Sequence, residues 1–318
     1  MEEHTHTEET VSVFDTESVE SILDEITNVL TVPLETQHST EGTETSESPD
    51  VHPPQENVNT DSSNENLSQS LAIDDMIESF DMSAYENDVT TSRFSGAEWY
   101  NEVKLLDITI AGIGGIGSWL SFLIARLKPL NITLFDNDVV NVANLAGQLF
   151  SMTDCDKFKV DVMRDKISCY SDYSVCTHNE LYNTFTTNVM LCGFDNMSAR
   201  KKYFDSWKCH VRLQPEYRQS NCLFVDGRLG LEEFQVFAIR GDEDELMKEY
   251  EEKFLFDDSE AEQIPCSMKQ TSFMASAIAS VMTNIVVNFA TNLDKPMDVR
   301  PMPFLTIYNA TTMRMEFK

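Results

Sequence analysis

The first 92 residues of this 318-residue chain contain no lysine and no arginine. Residues 1–90 hold 23 aspartates and glutamates, which supply −23 of the net charge of −31. They also hold one glycine and three aromatic residues. A segment with so few large apolar side chains cannot bury enough surface to offset the entropy lost on ordering. We therefore predict a disordered acidic tail over residues 1–88.

Two stretches of this tail, residues 19–30 and more briefly 71–80, place apolar residues at helical spacing. Such spacing puts the apolar side chains on one face of a helix. Each stretch is either a marginal helix in a solvated tail or a segment that docks on a partner or on the rest of the chain. The sequence leaves both possibilities open.

The scarcity of basic residues also bears on partners, since the chain has 23 Lys and Arg against 54 Asp and Glu. Binding to nucleic acid or anionic lipid uses basic side chains that displace counterions, so we expect no nucleic acid and no membrane partner. No run of 18 apolar residues is present. The N-terminus is acidic where a signal peptide would be basic and then apolar. We expect a cytoplasmic protein.

Paired cysteines are lacking as well, because the seven cysteines include no C-x-x-C spacing. An odd number without such pairs fits free thiols in a reducing compartment. A structural zinc site with four cysteine ligands is therefore not expected. Cys192 and Cys222 fall within apolar runs and are predicted to be core residues.

From residue 89 onward, apolar runs separated by glycine turns replace the acidic pattern. We predict strands at 105–110, 131–135, 189–192, 222–226 and 233–238, and helices at 118–127, 159–170 and 273–289. Strands that alternate with helices imply right-handed crossovers and a parallel sheet. Residues 304–308 and 313–317 alternate in polarity around a short turn, which predicts a hairpin. The predicted fold class is α/β, a Rossmann-like doubly wound and mostly parallel sheet with a C-terminal antiparallel hairpin.

A glycine motif follows the first predicted strand and opens the first predicted helix, in the segment TIAGIGGIGSWL. Gly112, Gly114 and Gly117 form G-x-G-x-x-G, with Gly115 between them. Such a turn lets backbone approach a phosphate at the helix N-terminus, where unpaired N–H groups point at the ligand. Asp136 ends the next strand, where a carboxylate can accept hydrogen bonds from both ribose hydroxyls. These residues predict a mononucleotide or a dinucleotide site, with NAD as the default ligand.

Three further segments decide between those ligands: FDNDVVNVANLAGQLF, DKFKV and GFDNMSARKKYF. In pattern and in order they resemble the E1-like superfamily that includes ThiF, MoeB and the ubiquitin-activating enzymes. NAD dehydrogenases have no reason to carry these motifs. The resemblance implies an ATP-binding adenylyltransferase domain over residues 89–318, with ATP and Mg²⁺ as cofactors.

The resemblance also assigns roles to individual residues. It implies that Asp136 binds ribose, that Asn144 and Gln148 line the phosphate channel, that Lys159 contacts the phosphates, and that Asp195 holds Mg²⁺. Attack of a carboxylate on an α-phosphate brings two anions together, so a site of this kind must supply cations and oriented amides. For Lys159 the alternative is a surface lysine, and for Asp195 it is a helix N-cap. Arg200, a turn into the following helix, is expected to pair with an acid beneath the site.

The chain departs from the family pattern at Gly147, where the family usually has arginine. Either Arg93 supplies the missing cation, often across a dimer in the family, or adenylation is weakened or lost. A second open question concerns Cys266, at the place where some members keep a thioester cysteine. A helix N-terminus and the nearby Lys269 would favour its thiolate. The alternative is a small buried cysteine.

The activity implied by the resemblance is adenylation of a carboxylate. We expect the acceptor to be a small protein or peptide with a slim C-terminal tail, and we expect a homodimer. The alternatives are a nucleotide-binding scaffold that recruits partners through the acidic tail, and an NAD-dependent oxidoreductase, which the motifs after Asp136 disfavour.

Deletion of residues 1–85 should leave folding and ATP binding intact, because a segment with no basic residue and three aromatics contributes little core. Thermal melts of the full chain and the shortened chain should nearly coincide. A large fall in melting temperature would instead show that one of the two amphipathic stretches docks on the domain.

Overall fold

A computed structural model describes residues 88–257, 270–294 and 299–318 of the chain. Residues 1–87 of the predicted tail, with both amphipathic stretches, and Cys266 with Lys269 lie outside these residues. The described part opens at Asp88, whose side chain caps the short turn Val89–Thr91 and forms an ion pair with Lys128. The domain boundary at 88/89 stays a prediction.

Eight strands form one sheet with the order β3-β2-β1-β4-β5-β6-β7-β8. Strands β1 to β5 pair in parallel, and β6, β7 and β8 add antiparallel neighbours at one side. The strands are β1 (Asp107–Ala111), β2 (Asn131–Phe135), β3 (Cys176–His178), β4 (Val189–Cys192), β5 (Leu223–Leu229), β6 (Glu233–Arg240), β7 (Leu305–Asn309) and β8 (Arg314–Phe317). The predicted α/β class, the mostly parallel sheet and the C-terminal hairpin are confirmed.

Helices cover both faces of the sheet, as a doubly wound fold requires. They are α1 (Tyr100–Val103), α2 (Gly115–Ala125), α3 (Lys159–Ser171), α4 (Met197–Leu213), α5 (Glu216–Gln219), α6 (Asp244–Phe254) and α7 (Ser272–Asp294). One buried cluster joins the sheet to α1, α2, α3 and α7. The other, rich in aromatic side chains, joins the opposite face to α4 and α6.

The alternation of side chains along the strands separates these two clusters. In β4, Val189 and Leu191 belong to the first cluster, whereas Met190 and Cys192 belong to the second. All four residues of this central strand are buried, which explains why the sequence shows an unbroken apolar run. The burial of Cys192 and Cys222 confirms that both cysteines are core residues.

Helix α7 is long and apolar enough to cross a membrane by length and composition, with a mean hydropathy of 1.6 over Ser272–Leu293. Half of that stretch is buried inside the protein. Its apolar side chains pack against α2, β5 and β6. A core helix of this kind passes the same test, so the composition of α7 carries no membrane assignment.

Two predictions about the elements need correction. The first helix begins at Gly115 rather than at residue 118, because the glycine motif itself forms its first turn. The third parallel strand, β3, was missed. It is three residues long, lies at the sheet edge and is partly exposed, so it has no apolar pattern to detect.

Asp107 opens β1 at the edge of the core and is 9% exposed. Burial raises the pKa of this carboxyl from its ordinary value to about 6. A folded-state pKa above the unfolded value means that the folded chain binds more protons between those two values. The contribution of Asp107 to stability therefore falls as the pH rises from about 4 to about 6.

We expect Asp107→Asn to stabilise the folded chain at pH 7 by up to about 3 kcal/mol, because the substitution removes a buried charge. The gain should vanish at about pH 3, where the aspartic acid is mostly protonated in both states. Urea unfolding at the two pH values measures the difference. The exposed Asp165→Asn serves as the control. An equal effect of Asp107→Asn at both pH values would contradict the argument.

Candidate nucleotide-binding site

The strand order reverses between β1 and β4. From β1 the chain crosses to β2 on one side, and it later returns to β4 on the other. In open α/β sheets, ligands bind at such a switch point, outside the carboxyl ends of the strands. The glycine motif lies there, between the end of β1 and the start of α2.

Three glycines touch one another at this point. Gly112 has a φ of +83°, and a β-carbon on it would lie 2.7 Å from the backbone of Gly193. A β-carbon on Gly117 or on Gly193 would in turn overlap the carbonyl group of Gly112. The backbone N–H of Gly193 donates to Ala111 at 2.8 Å. Side chains at these positions would separate the start of α2 from the loop that follows β4.

Asp136 follows β2 and is linked to the glycine motif by a direct hydrogen bond. The backbone N–H of Ile113 donates to Oδ2 of Asp136 at 2.7 Å, and the N–H of Asp138 donates to Oδ1 at 2.8 Å. Burial raises the pKa of Asp136, while the charge of Lys159 and the two backbone N–H groups oppose the rise. Asp136, the residue predicted to bind ribose, is thus adjacent to the glycine turn that is predicted to bind phosphate.

Lys159 is buried at the first position of α3, with 5% of its surface exposed. Its Nζ lies 2.7 Å from Oδ2 of Asp138, and its backbone N–H donates to the carbonyl of Asp138 at 3.0 Å. An isolated antiparallel β-bridge between Val139 and Phe158, the residues next to Asp138 and Lys159, joins the segment after β2 to the start of α3. A buried, paired lysine is not the surface lysine of the alternative interpretation.

Gln148 is 8% exposed, and its carbonyl oxygen Oε1 has no hydrogen-bond partner among the described residues. Its Nε2 lies 3.8 Å from the position of a β-carbon on Gly114. Buried polar atoms in proteins normally have a hydrogen-bond partner. An unpartnered oxygen beside a phosphate-binding type of turn is therefore consistent with a ligand that binds at this place. The side chain of Asn144 is engaged elsewhere, since its Oδ1 accepts from the backbone N–H of Asn141.

Asp195 is exposed in the loop between β4 and α4. The helix N-cap is Asn196, whose side chain accepts from the backbone N–H of Ala199 at 2.8 Å. The alternative that Asp195 serves as the N-cap is therefore wrong. Its carboxylate stands two residues after Gly193, at the same edge of the sheet as the glycine motif.

A buried ionic network lies under this loop. Asp226 is fully buried on β5 and binds the guanidinium groups of Arg200 and Arg228, the latter at 3.0 Å. The hydroxyl of Tyr250 on α6 donates to Asp226 at 2.8 Å. Arg200 also donates to the carbonyl of Phe194 at 2.5 Å. The prediction that Arg200 pairs with an acid is confirmed, and the network fixes the loop that carries Asp195.

One predicted site residue, Arg93, is not brought into this group. Arg93 is exposed in a turn ahead of α1 and forms no hydrogen bond or ion pair with any residue that the structure describes. Cys266 lies outside the described residues. The structure therefore offers no repair of Gly147 by Arg93 from within the chain.

A metal cage built from protein side chains is absent from the described part, where no three His, Cys, Asp or Glu side chains could share an ion. Mg²⁺ in phosphate-transfer sites is typically held by one or two carboxylates together with substrate phosphates and water. An exposed Asp195 beside a phosphate-type turn fits that mode of binding.

Sequence reasoning missed several residues of this region. Asp138 was visible as the second acid of D-N-D, followed by a lysine at the start of a helix. The pairing of Arg228 and Tyr250 with Asp226 leaves no local signal, because the partners come from different elements. Gln270, which lies against Gly115 and Gly147, likewise has no motif around it.

Comparison with known proteins agrees with the family resemblance of the sequence motifs. The ThiF family model matches residues 85–318. The tRNA threonylcarbamoyladenosine dehydratase of Escherichia coli (strain K12) is 37% identical over 93 residues, which cover 27% of this chain and 35% of that protein. The match thus spans about a third of the length of this curated relative.

Solved structures with the same fold include PaaA, with a TM-score of 0.53 at 15% identity over 97% of this chain and 84% of that one. E. coli MccB with ATP has a TM-score of 0.52 at 16% identity over 73% of this chain and 71% of that one. Another structure of MccB holds AMPCPP and MccA. At such identities the likeness shows the fold alone.

We expect Asp226→Asn to destabilise the chain by about 3–5 kcal/mol, because it leaves two buried guanidinium groups without their counter-charge. Tyr250→Phe removes one hydrogen bond from the same carboxylate and should cost about 1 kcal/mol. Urea unfolding of both variants measures the contrast. Equal and small losses would show that the network contributes little to stability.

Proposed function

Because the chain belongs to the ThiF family, we propose that it uses ATP to activate a carboxylate as an acyl-adenylate. The observation that carries the proposal is the buried, unpartnered carbonyl oxygen of Gln148 beside the glycine motif. It indicates a ligand at the switch point of the sheet. The buried Lys159, Asp136 and the N-terminus of α2 supply the groups that a nucleoside triphosphate requires.

In the proposed reaction, a carboxylate oxygen of the acceptor attacks the α-phosphorus of ATP. The bond from that phosphorus to the bridging oxygen of the β-phosphate breaks, and pyrophosphate leaves with the electron pair. Asp136 orients the ribose, and Lys159 neutralises charge that builds on the phosphates. Because Lys159 is held by Asp138, its ammonium group is positioned before the substrate arrives.

Asp195 is proposed to hold Mg²⁺ together with phosphate oxygens. A bound Mg²⁺ would supply Lewis-acid stabilisation of the phosphate charge. The network of Arg200 with Asp226 would keep the Asp195 loop in place during the reaction. Asn144 acts through the turn that positions Gln148, because its own side chain caps that turn.

The proposed acceptor is the C-terminal carboxylate of a peptide or small protein. E. coli MccB, which has the same fold, holds MccA together with AMPCPP in one structure, so a protein of this fold binds a second molecule beside a nucleotide analogue. The homodimer expected from the resemblance, with Arg93 serving the opposite site, stays a prediction. The same holds for a cytoplasmic location and for residues 1–88 as a tail.

A role in tRNA modification is the second candidate, because the sequence relative with 37% identity is a tRNA threonylcarbamoyladenosine dehydratase. The net charge of −31 argues against a direct tRNA surface, since counterion release requires basic side chains. A weakened nucleotide-binding scaffold is the third candidate, favoured by Gly147. Pyrophosphate exchange driven by a peptide acceptor, by tRNA or by neither distinguishes the three.

We expect Asp195→Asn to lower the exchange of labelled pyrophosphate into ATP by roughly 10²–10³-fold, the scale for loss of one preorganised electrostatic group. The stimulation of ATP binding by Mg²⁺, which needs no acceptor, should be lost as well. The control is Asp205→Asn, an exposed acid on α4, the helix that follows the Asp195 loop. Normal exchange in Asp195→Asn would refute the proposed metal site.

We expect Cys266→Ala to leave pyrophosphate exchange almost unchanged, because a thioester would form only after adenylation. If Cys266 carries a thioester, a reductant-sensitive adduct with the acceptor should disappear on denaturing gels. A modest loss of stability with every activity intact would instead indicate a structural cysteine.

A further inference from the structure

Gln270, two residues before α7, lies between two glycines of the proposed nucleotide site. A β-carbon on Gly115 would overlap the side-chain oxygen Oε1 of Gln270. A β-carbon on Gly147 would lie 2.7 Å from Cγ, 3.0 Å from Cδ and 3.2 Å from Nε2 of the same side chain. The glutamine thus fills the space that side chains at both positions would need.

Gly147 is held in place independently of Gln270. The indole Nε1 of Trp119 donates to the carbonyl of Gly147 at 3.1 Å, which ties this loop to α2. The backbone N–H of Gly147 and that of Gln148 both donate to the carbonyl of Asn144. A side chain added at Gly147 could not move its backbone freely, so Gln270 would have to leave.

The side chain of Gln270 packs against the first turn of α2. Gly115 is the first residue of this helix, where backbone N–H groups lack intrahelical partners and favour an anion. Gln148, the residue after Gly147, supplies a second carboxamide, which is buried and has an unpartnered oxygen. A carboxamide against Gly115 is therefore within reach of any phosphate that the helix N-terminus binds.

We propose that the side chain of Gln270 contacts the nucleotide phosphates, and that residue 147 is glycine because Gln270 must pass over it. This inference rests on the proposed function. Rotation about the terminal torsion exchanges Oε1 and Nε2, so the side chain can turn its N–H₂ donor toward a phosphate without a change of backbone. The carboxamide of Gln270 would thus place a neutral hydrogen-bond donor next to Gly147, the position where the family usually has an arginine.

The test measures the affinity of the full chain for ATP and for adenosine by equilibrium dialysis. Gln270→Ala should weaken ATP binding about tenfold, the effect of losing one hydrogen bond to a charged group. Gln270→Glu keeps the shape but replaces the donor with an anion, so its loss should exceed that of alanine. Adenosine affinity should stay unchanged in both variants, because the contact is with phosphate.

Gly147→Ala should weaken ATP binding to the extent that Gln270→Ala does, because it displaces the same side chain. The double variant should be no weaker than either single variant, since only one contact is lost. Gly96→Ala is the matched control, as a β-carbon there meets no atom within 4 Å. Thermal melts verify that each variant folds.

The outcomes distinguish a failure of the proposed function from a failure of the inference on Gln270. If the unaltered chain binds no ATP, the proposed function fails. If it binds ATP and both Gln270 variants bind ATP equally well, the inference on Gln270 is overturned. A parallel loss of adenosine affinity would show a structural role instead, and losses that multiply in the double variant would refute the link between Gly147 and Gln270.

Discussion

The mutual contact of Gly112, Gly117 and Gly193 at the carboxyl ends of β1 and β4 determines the geometry of the rest of the site. Because none of them has a side chain, α2 begins directly above the loop that leaves β4. The N–H groups of α2 therefore point toward the same crevice as Asp195. From Gly112 the chain also reaches Ile113, whose backbone N–H binds Asp136. Three strands thus deliver their terminal residues to one place.

Charge is distributed on two levels beneath this contact. Lys159 is buried at the start of α3 and is balanced by Asp138. Deeper, on the opposite face of the sheet, Asp226 is shared by Arg200 and Arg228, so the network has more positive than negative groups. Paired charges of this kind cost less to bury than isolated ones. They also place fixed positive charge under a site that would receive an anion.

The sequence predicted the central part of the fold because its signals are local. Strand β2 and strand β4 were predicted with their observed ends, and the glycine motif predicted the turn between β1 and α2. Strand β3 and the contact of Gln270 with Gly147 were not predicted. Edge pairing and contacts between distant segments depend on tertiary packing, which a single sequence does not encode in its periodicity. The departure at Gly147 was visible, whereas the residue that fills the resulting space was not.

The net charge of −31 has a consequence for how fast an anionic nucleotide arrives. A chain so acidic repels ATP at long range, while the buried Lys159 of the proposed site would act only at close approach. Added salt screens the first effect over a Debye length of about 8 Å at physiological ionic strength, and screens buried groups much less. The association rate should therefore increase with ionic strength, whereas the dissociation rate should change little. The affinity of such a protein for ATP would therefore increase with ionic strength, whereas the affinity of a basic nucleotide-binding surface would decrease.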